Sequence, residues 1–404
     1  MAWAVRSGAG RCPRHPPCFD TWPGSITWRK SSNVLPTRLS SRHPTKPCGD
    51  WVRSTLTLRL RSGQALIAFV QGQSPQRVAT LDQGATLVET HKRDALYCYQ
   101  GYQAYQPLST YWAEQGLVIH SEFRDGNVPA GQEQLRVLQE ALELLPAGVE
   151  RVKLRSDTAG YQRELLQYCA EGKNPRFGVI SFAVGVDVTM QFKKAVLEVA
   201  EEEWRPLEGK PGKPQQEWAE VCFVPNWIGH SRQSPDYRFL AVREPLQQST
   251  LPGMEEQLPF PTVGFASLGR YKGTGVVTNR ELPGDELIRW YRERCGKSEE
   301  AHGVLKADLA GGKLPSGDFG ENAAWWGITI LAFNLNVAMQ RLVLGEGWLG
   351  KRLKAMRFGL ISLPGRVVKH ARGLYLRLSG GHPCQELLLG ARLRILALAQ
   401  GPAG

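Results

Sequence analysis

The order of strand-like and helical segments between residues 76 and 184 constrains the fold more than any other feature of this chain. Three strand-like segments come first, and a helix, a strand, a second helix and a second strand follow. The first helix, residues 132–145, is the clearest, because Leu135, Leu138 and Leu142 lie on one apolar stripe. Strands that alternate with helices form parallel sheets, whereas consecutive strands pair as hairpins. The sequence therefore predicts an α/β fold with a mixed sheet flanked by helices.

The pattern changes between residues 205 and 270, where turn-rich segments separate short strands. Strand-like runs at residues 218–224 and 237–243 have no helix between them, which favours antiparallel pairing. This region therefore predicts a β-rich insertion. After it, residues 285–309 are mostly helical.

The composition is that of a soluble globular protein, with 404 residues, 42% hydrophobic residues and 22% charged residues. The eight cysteines form no C-x-x-C pair, which suits a reducing cytoplasm. An apolar run at residues 323–339 contains Asn334 and Asn336 and is shorter than the roughly 20 residues that a membrane span needs. We therefore predict a cytoplasmic protein in which this run is a buried core helix.

The positive charge is concentrated at the amino terminus. The net charge is +12, and residues 1–62 hold eleven Lys/Arg against two Asp/Glu. No period of two or 3.6 persists there, which favours a disordered or non-native segment. A basic DNA-binding arm and a transit-like leader have the same Arg-rich, acid-poor composition. The sequence therefore predicts an atypical basic segment followed by a folded domain over residues 63–400.

One candidate site residue is Asp157, which follows a strand-like run at residues 152–155 and precedes Thr-Ala-Gly. A carboxylate at the carboxyl end of a strand points toward the crevice in which α/β folds bind ligands. An ordinary turn or helix N-cap also favours Asp at such a position. The local sequence is compatible with both interpretations.

A second candidate cluster lies on one predicted helix. Tyr291 and Arg294 share a helical face, and Glu299, His302 and Lys306 share a face one turn later. An acid on this helix and Asp157 could converge only through a folded sheet, as a magnesium-dependent phosphoryl-transfer site requires. A solvated helix with surface ion pairs would have a similar composition.

Together these features resemble the DDE transposases of bacterial insertion sequences, in the branch with a Y-x2-R-x3-E-x6-K signature. The resemblance covers residues 76–400, and the segment around Asp157 is similar to the second-acid motif. Four residues are similar to the signature of the third acid: Tyr291, Arg294, Glu299 and Lys306. The β-rich insertion lies between the second and third acids, as in that branch.

One departure from this resemblance concerns the third acid. Four residues separate Arg294 from Glu299, whereas the signature has three. A helix can absorb one extra residue as a π-bulge, which Gly296 would ease. The spacing from Glu299 to Lys306 matches the signature, so we prefer Glu299 to Glu300.

A second departure concerns the first acid, which should lie near the end of the first strand in Leu81-Asp82-Gln83-Gly84. Chains of the branch that it resembles carry acids at both positions equivalent to 82 and 84. If the second position is the metal ligand, Gly84 has removed it. Asp82 is then the remaining acid, about 7 Å away along the strand.

The resemblance implies a ribonuclease H-like fold in which Asp82, Asp157 and Glu299 are catalytic and hold two Mg²⁺ or Mn²⁺ ions. Tyr291, Arg294 and Lys306 would bind DNA. The implied function is cleavage and strand transfer at the terminal inverted repeats of an insertion sequence, by a nucleoid-associated homodimer that also binds target DNA. The alternatives are a catalytically dead remnant that only binds DNA and a structural protein that coats DNA.

A further basic run, residues 366–377, interleaves Arg and Lys with apolar residues. This pattern suits a strand that follows a phosphate backbone. It equally suits an edge strand whose charges prevent aggregation.

Overall fold

The computed structural model describes residues 2–6, 50–209, 212, 214–225, 237–246, 261–265, 269–370, 373–378 and 381–400. The chain forms two compact units, a smaller one of Met1–Ser40 with Lys351–Gly404 and a larger one of Ser41–Gly350. Strand β1 (Ala2–Arg6) belongs to the smaller unit. Residues 7–49 of the predicted amino-terminal segment lie outside the described residues, and its predicted end at residue 62 falls inside a helix.

The larger unit contains six helices and thirteen strands among its described residues. Its helices are α1 (Asp50–Gln73), α2 (Gln134–Glu143), α3 (Arg163–Ala170), α4 (Met190–Leu197), α5 (Gly284–Gly303) and α6 (Phe319–Ala338). Its strands are β2 (Val78–Ala85), β3 (Val88–Glu89), β4 (Leu96–Tyr97), β5 (Gln103–Tyr105), β6 (Leu108–Trp112), β7 (Leu117–Glu122), β8 (Arg151–Ser156), β9 (Ser181–Val186), β10 (Arg205–Leu207), β11 (Gln216–Val221), β12 (Arg238–Pro245), β13 (Thr262–Phe265) and β14 (Gly269–Thr278).

The centre of the large sheet has the strand order β7-β6-β2-β8-β9. Strands β2, β8 and β9 are parallel, whereas β6 and β7 are antiparallel to their neighbours. The first strand in the chain thus lies in the middle, with a hairpin on one side and two parallel strands on the other. This is the ribonuclease H-like topology, so the predicted mixed α/β fold is confirmed.

The predicted β-rich insertion extends the same sheet. Beyond β9 the order continues β14-β12-β11-β10, and every pairing there is antiparallel. The insertion therefore continues the sheet outward from its parallel edge, and α5 follows it in the chain. After the insertion, α5 lies at the carboxyl ends of β2 and β8.

The core lies between the sheet and its helices. Strands β2, β8 and β9 bury most of their side chains, as expected for strands covered on both faces. Helix α2 buries Val137, Leu138, Ala141 and Leu142, which confirms the apolar stripe predicted from its leucines.

One predicted strand is misplaced. The second of the three strand-like segments that precede the first helix is the alternating aromatic run from Tyr97 to Tyr105, but its strands β4 and β5 belong to a separate three-stranded sheet with β3. The second strand of the large sheet is β6, whose sequence Leu-Ser-Thr-Tyr-Trp is mostly buried and therefore does not alternate. The aromatic run alternates because some of its side chains, such as that of Tyr97, are exposed.

The predicted core helix is α6, which continues as a π-helical segment over Met339–Leu344. Among the described residues, this is the one helical segment long and apolar enough to cross a membrane, and half of its apolar window is buried. Trp326 is fully buried, and the side-chain amide of Asn334 pairs with both backbone groups of Val118 on β7. These contacts support the prediction of a core helix.

The smaller unit has a sheet with the order β1-β16-β15, in which β15 spans Gly365–His370 and β16 spans Gly373–Leu378. All of its strand pairings are antiparallel. Helices α7 (Leu353–Met356) and α8 (Gln385–Gln400) complete it.

Candidate active-site cleft

An open cleft of about 300 Å³ lies at the carboxyl ends of β2 and β8, where α5 crosses them. Its lining residues come from three parts of the chain that are far apart in sequence: Ala85, Thr86, Asp157, Arg294, Ser298, Glu299, His302, Gly303 and Lys306. The cleft thus contains Asp157 and three of the four signature residues.

Asp157 is a helix N-cap and also lines the cleft. It is the N-cap of a 3₁₀ turn over Thr158–Gly160, and its Oδ1 accepts a hydrogen bond from the Ala159 backbone N–H at 3.1 Å. Its Oδ2 faces the cleft and accepts a hydrogen bond from Arg294 Nη2 at 3.0 Å. The turn therefore fixes the carboxylate, and Arg294 neutralises it.

Helix α5 carries the other polar groups of the cleft. It is a regular α-helix through Gly303, and a π-helical segment follows over Val304–Asp308. The predicted π-bulge between Arg294 and Glu299 is therefore wrong, because the irregular turn comes later in the chain. A regular helix places Ser298, four residues after Arg294, on the same face, and it leaves Glu299 exposed at the rim of the cleft.

Lys306 lies in the π-helical segment and is anchored to the loop after β2. Its Nζ donates to Thr86 Oγ1 at 3.2 Å and to the Leu87 carbonyl at 3.4 Å. Glu300, the alternative third acid, does not line the cleft.

Tyr291 lies behind the Asp157 turn and does not line this cleft. It lines a neighbouring pocket with Thr158, and its hydroxyl packs so closely on β9 that a Cβ at Gly185 would lie 2.9 Å away. Burial raises the pKa of Tyr291 to about 12. Its present contacts support the fold around Asp157, and its predicted contact with DNA remains a prediction.

Asp82 is fully buried and does not line the cleft. Its two carboxylate oxygens accept hydrogen bonds from Arg155 Nε at 2.6 Å and Arg155 Nη2 at 3.0 Å. Arg155, also buried, donates to the Trp290 carbonyl at 2.6 Å and pairs with Glu293 at 3.1 Å. Burial raises the pKa of Asp82, and Arg155 opposes that rise. The pairing with Arg155 argues against the role predicted for Asp82 as a metal ligand, and that role stays a prediction.

Sequence reasoning overlooked Arg155, although the signal was present. In the parallel register of β2 and β8, Arg155 is the direct partner of Asp82. Neighbours of opposite charge on paired strands attract each other, so the register would have predicted the ion pair.

Gly84 occupies the second of the two positions at which the resemblance allows the first acid. A Cβ built at Gly84 would lie 3.6 Å from Asp157 Oδ2 and 2.6 Å from Arg294 Nη2. A side chain at position 84 would therefore enter the cleft beside Asp157. In the present chain the guanidinium of Arg294 occupies that space.

The side chains of the cleft do not fit a two-metal site. The divalent metal ions that the resemblance implies need several oxygen ligands. The cleft offers the carboxylates of Asp157 and Glu299, and the former is already bonded to Arg294. Among the described residues, no group of three His, Cys, Asp or Glu side chains could hold a metal ion.

His302 faces the cleft between these groups. Burial, together with the positive charges of Lys306 and Arg294, lowers its pKa from 6.5 to about 4. The imidazole is therefore neutral at pH 7.

This pKa predicts how stability depends on pH. The folded pKa is depressed below the unfolded value, so unfolding takes up a proton as the pH falls from about 6.5 to about 4. The native chain should lose up to about 3 kcal/mol over this window from His302 alone. Urea unfolding at both ends of the window should show a smaller loss for His302→Gln. Equal losses in the two proteins would contradict this assignment.

The fold and the cleft define a class of protein. In a ribonuclease H-like sheet, Asp157 at the carboxyl end of β8 lies in the crevice in which open α/β sheets bind ligands. Comparison with known families gives a more specific indication of the class of protein. Residues 267–400, about a third of the chain, match the family model described as Transposase DDE domain group 1. This match supports a transposase of the DDE class.

Comparisons with curated proteins and with solved structures give less information about this chain. No curated protein matches the chain. One similar solved structure is that of a piggyBac transposase synaptic complex with hairpin DNA, with 10% sequence identity and a TM-score of 0.35. The similarity covers 66% of this chain and 52% of that chain, so the match spans about half the length of the solved protein.

Proposed function

We propose that this protein derives from the DDE transposase of a bacterial insertion sequence, that it binds double-stranded DNA along the cleft, and that it has lost DNA cleavage. The single observation that carries this proposal is the position of Gly84, whose missing side chain would lie beside Asp157. A glycine there leaves the cleft one carboxylate short, and Asp82 cannot replace it because Arg155 binds both of its oxygens.

The remaining charges support retained DNA binding. Arg294 and Lys306 face the cleft, and both are residues that bind phosphate. The DNA would be the terminal inverted repeats and the target of the ancestral element, bound in the bacterial cytoplasm by a homodimer on paired ends. We assign this activity to residues 63–400, with residues 205–270 as the insertion. An ancestral site with a carboxylate at position 84 would have used Mg²⁺ or Mn²⁺, with Asp157 and Glu299 as the other ligands.

Binding and cleavage can be tested together on labelled duplex DNA. The native chain should bind the duplex and leave it uncut in Mg²⁺. Lys306→Gln should reduce the slope of log K against log salt by about 1, because one phosphate contact is lost. The matched control, Lys194→Gln on exposed α4, should bind like the native chain.

Two outcomes would contradict the proposal in different ways. Failure of the native chain to bind DNA would remove the binding function. Efficient cutting by the native chain, abolished in Asp157→Asn, would show that cleavage has not been lost.

A further inference from the structure

The smaller unit carries an unusual excess of positive charge. Residues 351–377 contain eight Lys/Arg and no Asp/Glu. Two of these residues, Arg366 on β15 and Arg377 on β16, are directly opposite each other in the antiparallel register. Residues paired in this way point to the same face of the sheet and lie about 5 Å apart at Cβ.

Such a pair is unfavourable unless something neutralises it, because like charges placed directly opposite each other destabilise a sheet. Both arginines are exposed, and within the described part of the chain neither has an acidic partner. Tyr375 lies on the same face two residues before Arg377 and can donate a hydrogen bond through its hydroxyl. The face therefore presents two cations and a neutral donor to solvent.

Protection of an exposed sheet edge explains only part of this arrangement. Strand β15 is an edge of the three-stranded sheet, so Arg366 could serve to prevent aggregation. Strand β16 is the central strand, paired on both sides with β1 and β15. Arg377 therefore has no edge to protect, and its position directly opposite Arg366 needs another explanation.

We propose that the face formed by Arg366, Tyr375 and Arg377 is a second DNA-binding surface that grips the phosphate backbone independently of the cleft. Guanidinium groups match phosphate oxygens in geometry and charge, and a two-stranded ribbon can follow a groove or a backbone. Contacts of this kind position a protein on DNA without reading its sequence. The inference rests on the proposed function, since it takes DNA as the polyanion.

The test compares the full-length native chain with Arg366→Gln/Arg377→Gln in duplex binding between about 50 and 200 mM salt. The double variant should reduce the salt slope by about 1.8 and weaken binding on the order of tenfold. A charge-matched control, Arg163→Gln/Lys194→Gln, removes two exposed cations from α3 and α4 and should bind like the native chain. Arg366→Lys/Arg377→Lys keeps the charge and should retain the native slope, which separates charge loss from misfolding.

The outcomes separate this surface from the cleft. An unchanged slope in the Gln variant, with native binding intact, overturns the second surface and leaves the proposed function standing. An equal loss in the α3 and α4 control also overturns it, because the effect would then be general electrostatics. Loss of binding to phosphatidylserine vesicles with unchanged DNA binding would assign the face to membranes instead. A native chain that binds no DNA overturns both proposals.

Discussion

Replacing Gly84 with Asp should create a divalent-metal site in the cleft and restore DNA cleavage. The new Cβ would lie 3.6 Å from Asp157 Oδ2, which places a second carboxylate beside the first. Arg294 Nη2, 2.6 Å from that Cβ, is the end of a flexible side chain and can move aside. With Glu299 at the rim, three carboxylates would then be available to Mg²⁺ or Mn²⁺.

The expected gain in metal affinity is at least about 100-fold, since changes to the outer partners of metal ligands alone alter affinity by 10–100-fold. Mn²⁺ binding can be followed by electron paramagnetic resonance, which does not depend on activity. Cleavage of duplex DNA in Mg²⁺ is the second readout. Adding Asp157→Asn to Gly84→Asp should abolish both.

The control for Gly84→Asp is Gly296→Asp. It adds the same charge to the exposed side of α5, where a Cβ would meet no atom within 4 Å. If both variants bind Mn²⁺ equally, position 84 is not the first-acid position. Metal binding without cleavage would place the remaining defect outside the cleft.

Asp82→Asn should destabilise the fold by roughly 3–5 kcal/mol, the usual cost of leaving a buried charge without its partner. Arg155 is 1% exposed and would lose both of its bonds to a charged carboxylate. Its remaining ion pair, with Glu293, reaches an exposed side chain and cannot compensate. Urea unfolding followed by tryptophan fluorescence measures this loss.

The comparison for Asp82→Asn is Glu143→Gln, which removes an exposed carboxylate from α2 and should change stability by less than about 0.5 kcal/mol. The double variant Asp82→Asn/Arg155→Met should recover much of the loss, because it removes the stranded charge as well. If Asp82→Asn is as stable as Glu143→Gln, the buried pair does not support the fold, and a functional role for Asp82 becomes open again.

Sequence periodicity was enough to predict a mixed α/β sheet flanked by helices, and its ribonuclease H-like form was implied by the resemblance. The leucine stripe of α2 and the order of strands and helices depend on local burial, which the sequence records directly. The helical segment that carries Arg294 and Lys306 was also predictable from the sequence, because spacing alone decides which residues share a helical face.

The details of the site depend on which strands are neighbours, and spacing within one segment does not contain that information. The pairing of Asp82 with Arg155 follows from the register of β2 on β8, 73 residues apart. Arg294 could be placed on a helical face, but its entry into the space beside Gly84 requires the packing of α5 across the sheet. The sequence placed a π-bulge between Arg294 and Glu299, where Gly296 would ease the distortion. The π-helical segment instead lies at Val304–Asp308.

The two ends of the large sheet limit how copies of this protein can associate. At one end, the amide of Asn334 takes the outward-facing N–H and C=O of Val118, as a neighbouring strand would. At the other end, β10 is only three residues long and contains Pro206, which cannot donate to a ladder. Both features hinder strand addition, so this sheet is poorly suited to growing into a continuous intermolecular sheet.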